Sequence, residues 1–247
     1  MSAESAKYVY GIVAEEGKLP AGGGIDDAPL ELVAADGIAA IVTDVLPTRL
    51  KFGRDAMSTH ARVLRDAHQL GTILPMRFGV MLAGAGAVRS ELLDPHRAEL
   101  VAQLADFDGK VELKLRVVYD EERILREVVR EDQDVARLRA SLRGAPEDAT
   151  YYGRIQLGQL IATAIDRRRE LDAGDILDVL APLALAVELG EPSEHLVLNA
   201  SFLVARDAMG AFDTAVDRIG QARSASMRFR YTGPLPPHSF VQLVTAA

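Results

Sequence analysis

The groups in this chain that could do chemistry are a few histidines, scattered serines, several carboxylate pairs and one glycine turn, and spacing tests each of them. His60 and His68 share one face of a helical stretch. Eight residues at a rise of ~1.5 Å set them ~12 Å apart along the axis, too far to hold one ion. A zinc pair on a helix needs a spacing of about four and a third ligand nearby, a cluster the sequence lacks. The ordinary reading of each is a partly buried, hydrogen-bonded histidine. "GVMLAGAGAVRSE" places Gly84 and Gly86 between a strand and a helix, the setting of a dinucleotide-binding turn. Arg89 occupies the third glycine position and no Lys-Ser or Lys-Thr comes after it, so the stretch reads as a turn. Ser58, Ser193 and Ser201 lie in no nucleophile-elbow pattern, and there is no cysteine to act as a thiolate. Glu121 with Glu122, Asp132 with Asp134, and the run "DRRRE" from Asp166 to Glu170 sit in charged helix surfaces, where solvation is their expected role. No cofactor, no metal and no catalytic residue is expected from these patterns.

The elements that position these residues can be read from hydrophobic period. "KYVYGIVAE" (Lys7 to Glu15) and "GIAAIVTDV" (Gly37 to Val45) read as strands, with a glycine-rich loop after the first. Met57, Ala61, Leu64 and Ala67 mark one face of a helix that Gly71 closes. "TILPMRFGVMLAG" reads as a mostly buried strand interrupted by Pro75, and Ala87 to Phe107 as helical with Pro95 starting a new helix. A break at "DFDGK" divides the chain into two expected domains, 1–108 and 109–247. "KVELKLRVVYD" then alternates strictly, Val111, Leu113, Leu115 and Val117 inward and Glu112, Lys114 and Arg116 outward. Helices are expected from Glu121 to Leu142, from Tyr151 to Leu171 and from Asp175 to Leu189, the first two packing as an antiparallel hairpin. "HLVLNASFLVA" is a strand, "RDAMGAFDTAVDRIG" a helix and "ASMRFRYTG" a strand. The fold class is therefore α+β in two domains, the C-terminal one a modified ferredoxin-like sandwich with an enlarged helical insertion and a C-terminal extension.

The composition limits the possible functions. Apolar residues at 49% and charged ones at 26% of 247 residues support packed domains rather than disorder. A formal charge of -8 argues against nucleic-acid binding, which concentrates Lys and Arg on one face. The C-terminal end is a local exception, with four arginines and no acidic residue from Arg218 onward. No apolar run reaches the ~20 residues of a membrane span, because charges such as Arg77 and Asp178 interrupt each one. The absence of cysteine and of a basic, then apolar, leader predicts a cytoplasmic protein.

Five motifs in order, "YVYGIV", "TILPMRFGV", "YYGRIQLGQLI", "LVLNASFLV" and "YTGPLPPHSFV", resemble the gas vesicle accessory protein family GvpF/GvpL from Tyr8 to Val241. The resemblance implies a non-enzymatic, vesicle-associated role in building gas-filled protein shells. It also implies binding to the small hydrophobic shell protein GvpA, and possible contact with other accessory proteins, in a way that limits shell-protein aggregation. It further implies a ferredoxin-like C-terminal domain. His238 departs from the aromatic that many relatives carry there. Taken with the basic end of the chain, the resemblance nominates Arg228, Arg230, Tyr231, Pro236, Pro237 and Phe240 as partner-binding residues. Met227, Phe229 and Tyr231 are expected inward, with the prolines as a stiff turn into a final strand over "SFVQL". Phe240, Val241 and Leu243 are expected to dock that strand on the second domain. The competing class is a small-molecule enzyme or sensor using a cleft between two α+β domains.

Overall fold

The computed structural model of the protein describes residues 5–47, 53–144, 146–193 and 196–242. Its contacts divide the chain into two compact units, residues 1–113 with 233–247, and residues 114–232. The expected boundary after residue 108 lies close to this division. The expected membership of residues 233–247 differs from it, and the partners of Ser239 and Gln242 are Glu112 and Gln103 of the first unit.

The first unit is built around β1 (Ala6–Ala14), whose residues from Ala6 to Val13 are all buried. Such a strand must be apolar on both faces, which is why "YVYGIV" shows no alternation. β2 (Leu30–Ala35), β3 (Ile38–Val45), β4 (Leu74–Pro75) and β5 (Met81–Leu82) complete an antiparallel sheet in the order β2-β3-β1-β4, with β5 also pairing with β1. Asp36 and Gly37, both at positive φ, make the tight turn between β2 and β3. Gly11 sits where the β1–β3 register shifts. A Cβ there would come within 2.7 Å of the Ile73 side chain and 2.8 Å of the Leu74 carbonyl. Lys7, buried in β1, is held by Glu31 at 2.6 Å and Asp44 at 2.9 Å. The single strand expected over "TILPMRFGVMLAG" is instead the pair β4 and β5, joined by a loop after Pro75.

Helix α1 (Arg54–Leu70) packs Ala56, Val63, Leu64 and Ala67 into the core formed by Tyr8, Tyr10, Ala39 and Ile41. Its buried face is rotated from the expected one. His60 and His68 are buried, while Met57 is 57% exposed. A short α2 (Gly84–Ala87), a π-helical turn over Val88–Leu93 and α3 (Asp94–Asp106) come next, with Pro95 in the first turn of α3, where a missing N–H costs nothing.

The second unit holds most of a four-stranded sheet in the order β7-β8-β6-β9: β6 (Lys110–Tyr119), β7 (Ala186–Leu189), β8 (Leu196–Ala205) and β9 (Met227–Leu235). β6 therefore lies between β8 and β9, so the helix joining those two connects strands that are not neighbours, contrary to the parallel-neighbour expectation. That helix, α7 (Met209–Arg223), buries Phe212 between Phe202 of β8 and Tyr231 of β9, at ring separations of 5.0 and 6.2 Å.

The insertion between β6 and β7 comprises α4 (Glu121–Glu131), α5 (Gln133–Ser141) and α6 (Glu147–Leu180). The single helix expected from Glu121 to Leu142 is broken at Asp132. That residue's carboxylate accepts from the Asp134 and Val135 N–H groups and so starts α5. Both helices pack on α6, where Gly153 leaves the room that the Leu142 side chain occupies. The two helices expected from Tyr151 and from Asp175 are one 34-residue helix. The stretch read as the end of the second is β7, a strand running antiparallel to β8 with Val187 opposite Phe202.

Candidate partner-binding surfaces

The C-terminal residues nominated from the sequence separate into two groups. In β9, Met227 is buried, Phe229 and Tyr231 are half-buried, and Arg228 and Arg230 are exposed, so the strand alternates as its period requires. The Tyr231 hydroxyl donates to Asp213 at 2.6 Å. Burial, and after it that hydrogen bond to a carboxylate, raises its pKa well above the usual tyrosine value. Tyr231 is thus engaged with α7, and only the two arginines of this group are open to solvent.

Pro236 and Pro237 are buried and Phe240 is half-buried. The expected strand after the prolines is absent from the described residues. The chain turns there, with the Val241 N–H donating to the Pro237 carbonyl at 3.1 Å. Ser239 donates from both its N–H and its hydroxyl to the two oxygens of Glu112, each at 2.8 Å. Glu112 is only 1% exposed, although strict alternation in β6 made it an outward residue. Gln242 and Gln103 exchange two hydrogen bonds at 3.1 Å, and Phe240 shares a shallow groove with Phe107. The segment therefore docks, but on the first unit rather than the second. Leu243 lies outside the described residues.

His60 is buried against Tyr8 and Tyr10. Its Nδ1 accepts from the Tyr8 hydroxyl at 2.9 Å and its Nε2 lies 3.2 Å from the Met76 carbonyl, the pattern of a neutral ring donating from Nε2. Burial lowers its pKa to about 4, with the Met76 hydrogen bond opposing and the charge of His238 adding to the shift. Buried Asp172 on α6 accepts from the Tyr119 hydroxyl at 2.7 Å and from Arg168 and Arg223 at 3.2 and 2.6 Å. Among the described residues no three His, Asp or Glu side chains are grouped to hold a metal ion, and no helix is long and apolar enough to cross a membrane.

The second unit has two exposed apolar features, one of them on a strand whose sequence reads as helix. β7 is an edge strand; Leu185, just before it, and Leu189, its last residue, are 58% and 62% exposed. A groove of about 670 Å³ runs beside it, with Leu177, Leu189, Leu196 and Leu198 in its walls. On α6, Tyr151 and Tyr152 are 62% and 83% exposed, and Ile155 beyond them is 46% exposed. Pro182 was the available signal for β7, since a proline there ends the helical pattern and frees the next residues to extend.

The matches to known proteins run through both units. The gas vesicle synthesis protein GvpL/GvpF family matches residues 6–242. Gas vesicle protein F of Streptomyces sp. (strain CB03234) is 34% identical over 95% of this chain and 99% of its own length. Gas vesicle protein L2 of Halobacterium salinarum is 26% identical over 95% of this chain and 90% of its own. The crystal structure of gas vesicle protein GvpF from Anabaena sp. PCC7120 superposes with a TM-score of 0.85 at 26% identity, covering 98% of this chain and all of that one. A family match over almost the whole chain, a relative above 30% identity and a shared α+β fold agree: the chain belongs to the GvpL/GvpF family of gas vesicle synthesis proteins.

Proposed function

We propose that this gas vesicle accessory protein acts in the cytoplasm by binding the small hydrophobic shell protein GvpA before assembly and limiting its aggregation, without catalysis. The observation that carries this reading is the β7 edge, a four-residue strand with Leu189 exposed at its end and Leu185 exposed just before it. An edge strand offers unpaired backbone groups to another strand, and exposed leucines add apolar contact to it. A shell protein that must coat gas carries apolar strands needing temporary cover. Four residues give a short ladder, which suits a contact that must be released. The order strand, helices, strand, strand, helix, strand, with β6 inside the sheet, supports the ferredoxin-like reading of this unit.

Co-expression of GvpA with the tagged full chain tests the proposal, with soluble GvpA and its recovery on the tag as readouts. Replacing Leu185 and Leu189 with lysine, a residue that natural edges use against pairing, is expected to lose most of the co-purified GvpA while the accessory protein itself stays soluble. Undiminished recovery with the double lysine variant would sink the β7 assignment. Failure of the unaltered chain to retain GvpA would sink the binding itself.

A further inference from the structure

On the outer face of the β6–β9 ribbon stands an array of cations that form no ion pair among the described residues. The Asp120 N–H donates to the Ser226 carbonyl at 2.9 Å. Counting back along two antiparallel strands from that bond brings Arg116 opposite Arg230 and Lys114 opposite Thr232. These four side chains line one hollow of about 220 Å³. Arg116, Arg228 and Arg230 are exposed and Lys114 is half-buried. Among the described residues, none of the four cations Lys114, Arg116, Arg228 and Arg230 enters an ion pair.

Among the described residues other cations, such as Arg54, Arg89 and Arg139, also lack an ion pair, but here four share one face of one ribbon. Arg123, Arg126, Arg130, Arg137, Arg168 and Arg223 all have carboxylate partners, and acidic residues outnumber Lys and Arg by 36 to 28. Carboxylates are abundant, yet Glu112, two residues before Lys114 on the same side of β6, is taken up by Ser239 and pairs with none of the four. Like charges directly across a ribbon, with Cβ atoms ~4.5–5.5 Å apart, oppose pairing of the strands that carry them. An acidic protein that keeps such an array presents it to something outside itself.

We infer that this face docks an acidic, extended segment of a partner protein, which adds beside β9. β9 is the edge of its sheet, so a further strand can pair with it. Arg228 and Arg230 are two residues apart, ~6.8 Å along the strand. That is the spacing of carboxylates at alternate positions of an added strand. The planar guanidinium matches a carboxylate through two parallel hydrogen bonds. Pro234 has no N–H to offer and ends the ladder at the far side. A nucleic acid fits less well, because none of the hollow's lining residues is aromatic to receive a base and the protein as a whole is acidic. The surface is separate from the β7 edge, so this inference does not rest on the shell-protein reading.

Fluorescence anisotropy tests it, using the full chain and a fluorescein-labelled peptide of alternating glutamate and threonine. Saturable binding is expected that weakens as salt is raised. It should fall about tenfold in Arg116→Gln/Arg230→Gln, whose unfolding temperature should be unchanged or slightly higher as the repulsion is relieved. Arg228→Gln alone should show a smaller loss. An alternating lysine and threonine peptide, a thymidine oligonucleotide and phosphatidylserine vesicles complete the set. The inference is overturned by any of four results. These are no saturable binding of the acidic peptide, binding that the glutamine pair leaves intact, tighter binding of the oligonucleotide or vesicles, and self-association of the chain that the glutamine pair abolishes.

Discussion

Tyr8 and Tyr10 in the first unit and Tyr151 and Tyr152 in the second are chemically the same residue in opposite circumstances. The first two are fully buried, their rings 5.0 Å apart, with the Tyr10 ring stacked on His60 at 5.6 Å. Each hydroxyl is used: that of Tyr8 donates to His60 and accepts from the Gly79 N–H, and that of Tyr10 accepts from the Ile25 N–H. Tyr151 and Tyr152 form an exposed edge-to-face pair on α6 whose hydroxyls form no hydrogen bond with a described residue. A tyrosine in a core is stabilising only where its polar tip is satisfied. The comparison separates residues that hold the fold from residues left for a partner, and substitutions in each class should differ in size accordingly.

The largest effect is expected where a whole segment closes the first unit. Ending the chain after Leu235 removes buried Pro236 and Pro237, half-buried Phe240 and Val241, and both Ser239 hydrogen bonds to Glu112. Apolar burial and two bonds to a carboxylate together contribute about 4 kcal/mol or more, a large part of the ~5–15 kcal/mol of a typical domain. Thermal unfolding should show a marked drop or outright insolubility. An unchanged midpoint would mean that the segment is a free tail. Ser239→Ala, which keeps the cover and removes one bond, should cost only about 1–2 kcal/mol.

Next in size is the neutral His60. Its pKa is about 4 in the folded protein against 6.5 for the ordinary group. Between those values the unfolded chain binds the proton and the folded one does not, so stability rises with pH across this window. The contribution is fully present above about pH 6.5 and is lost progressively down to about pH 4, a difference of roughly 3 kcal/mol. Carboxylates titrate in the same range, so the test is the difference between the original chain and His60→Gln in urea unfolding at several pH values. A pH-independent difference would contradict the buried neutral imidazole.

In the second unit the comparable buried group is ionic. Asp172→Ala leaves the Tyr119 hydroxyl and two guanidinium groups without their shared acceptor. Breaking a buried pair costs about 3–5 kcal/mol. Arg168 and Arg223 are partly exposed and retain Glu131 and Asp175, so about 2 kcal/mol is expected here. Asp172→Asn, which keeps an acceptor for Tyr119, should lose less. Equal losses for the two variants in chemical denaturation would show that charge alone matters at this site.

The legibility of the sequence divides in the same way, between local and distant causes. β1, β3, β6, β8 and β9 announce themselves through aromatic and β-branched runs, and the alternation of β9 places Arg228 and Arg230 outward without any knowledge of the fold. β7 was hidden because "LAPLALAVEL" is rich in alanine and leucine, the strongest helix formers, and only pairing with β8 makes it a strand. The charges of "DRRRE" looked like a helix end, but α6 runs through them, with Arg169 bridging to Asp166 and Arg168 to Asp172 on its own turns. Glu112 was assigned to water by its neighbours, yet its partner Ser239 lies 127 residues away. No local pattern carries that information. The cation array was legible as a basic chain end, whereas its lack of partners required the sheet order that joins β6 to β9.

The smallest effect on folding should come from the exposed member of the opening comparison. Tyr152 is 83% exposed, forms no hydrogen bond with a described residue, and touches the neighbouring Tyr151 ring at 5.5 Å. Tyr152→Ala removes little that the unfolded chain does not also lack, and alanine favours the helix that carries it. A stability change within about 0.5 kcal/mol is expected, against about 3–5 kcal/mol for Tyr8→Ala, which opens a cavity beside His60 and strands the Gly79 N–H. Paired denaturation curves of the two variants measure the ratio directly. If Tyr152→Ala proved as costly as Tyr8→Ala, the exposed pair would be holding α6 in place. The division between residues that hold the fold and residues left for a partner would then fail at the point where it looks sharpest.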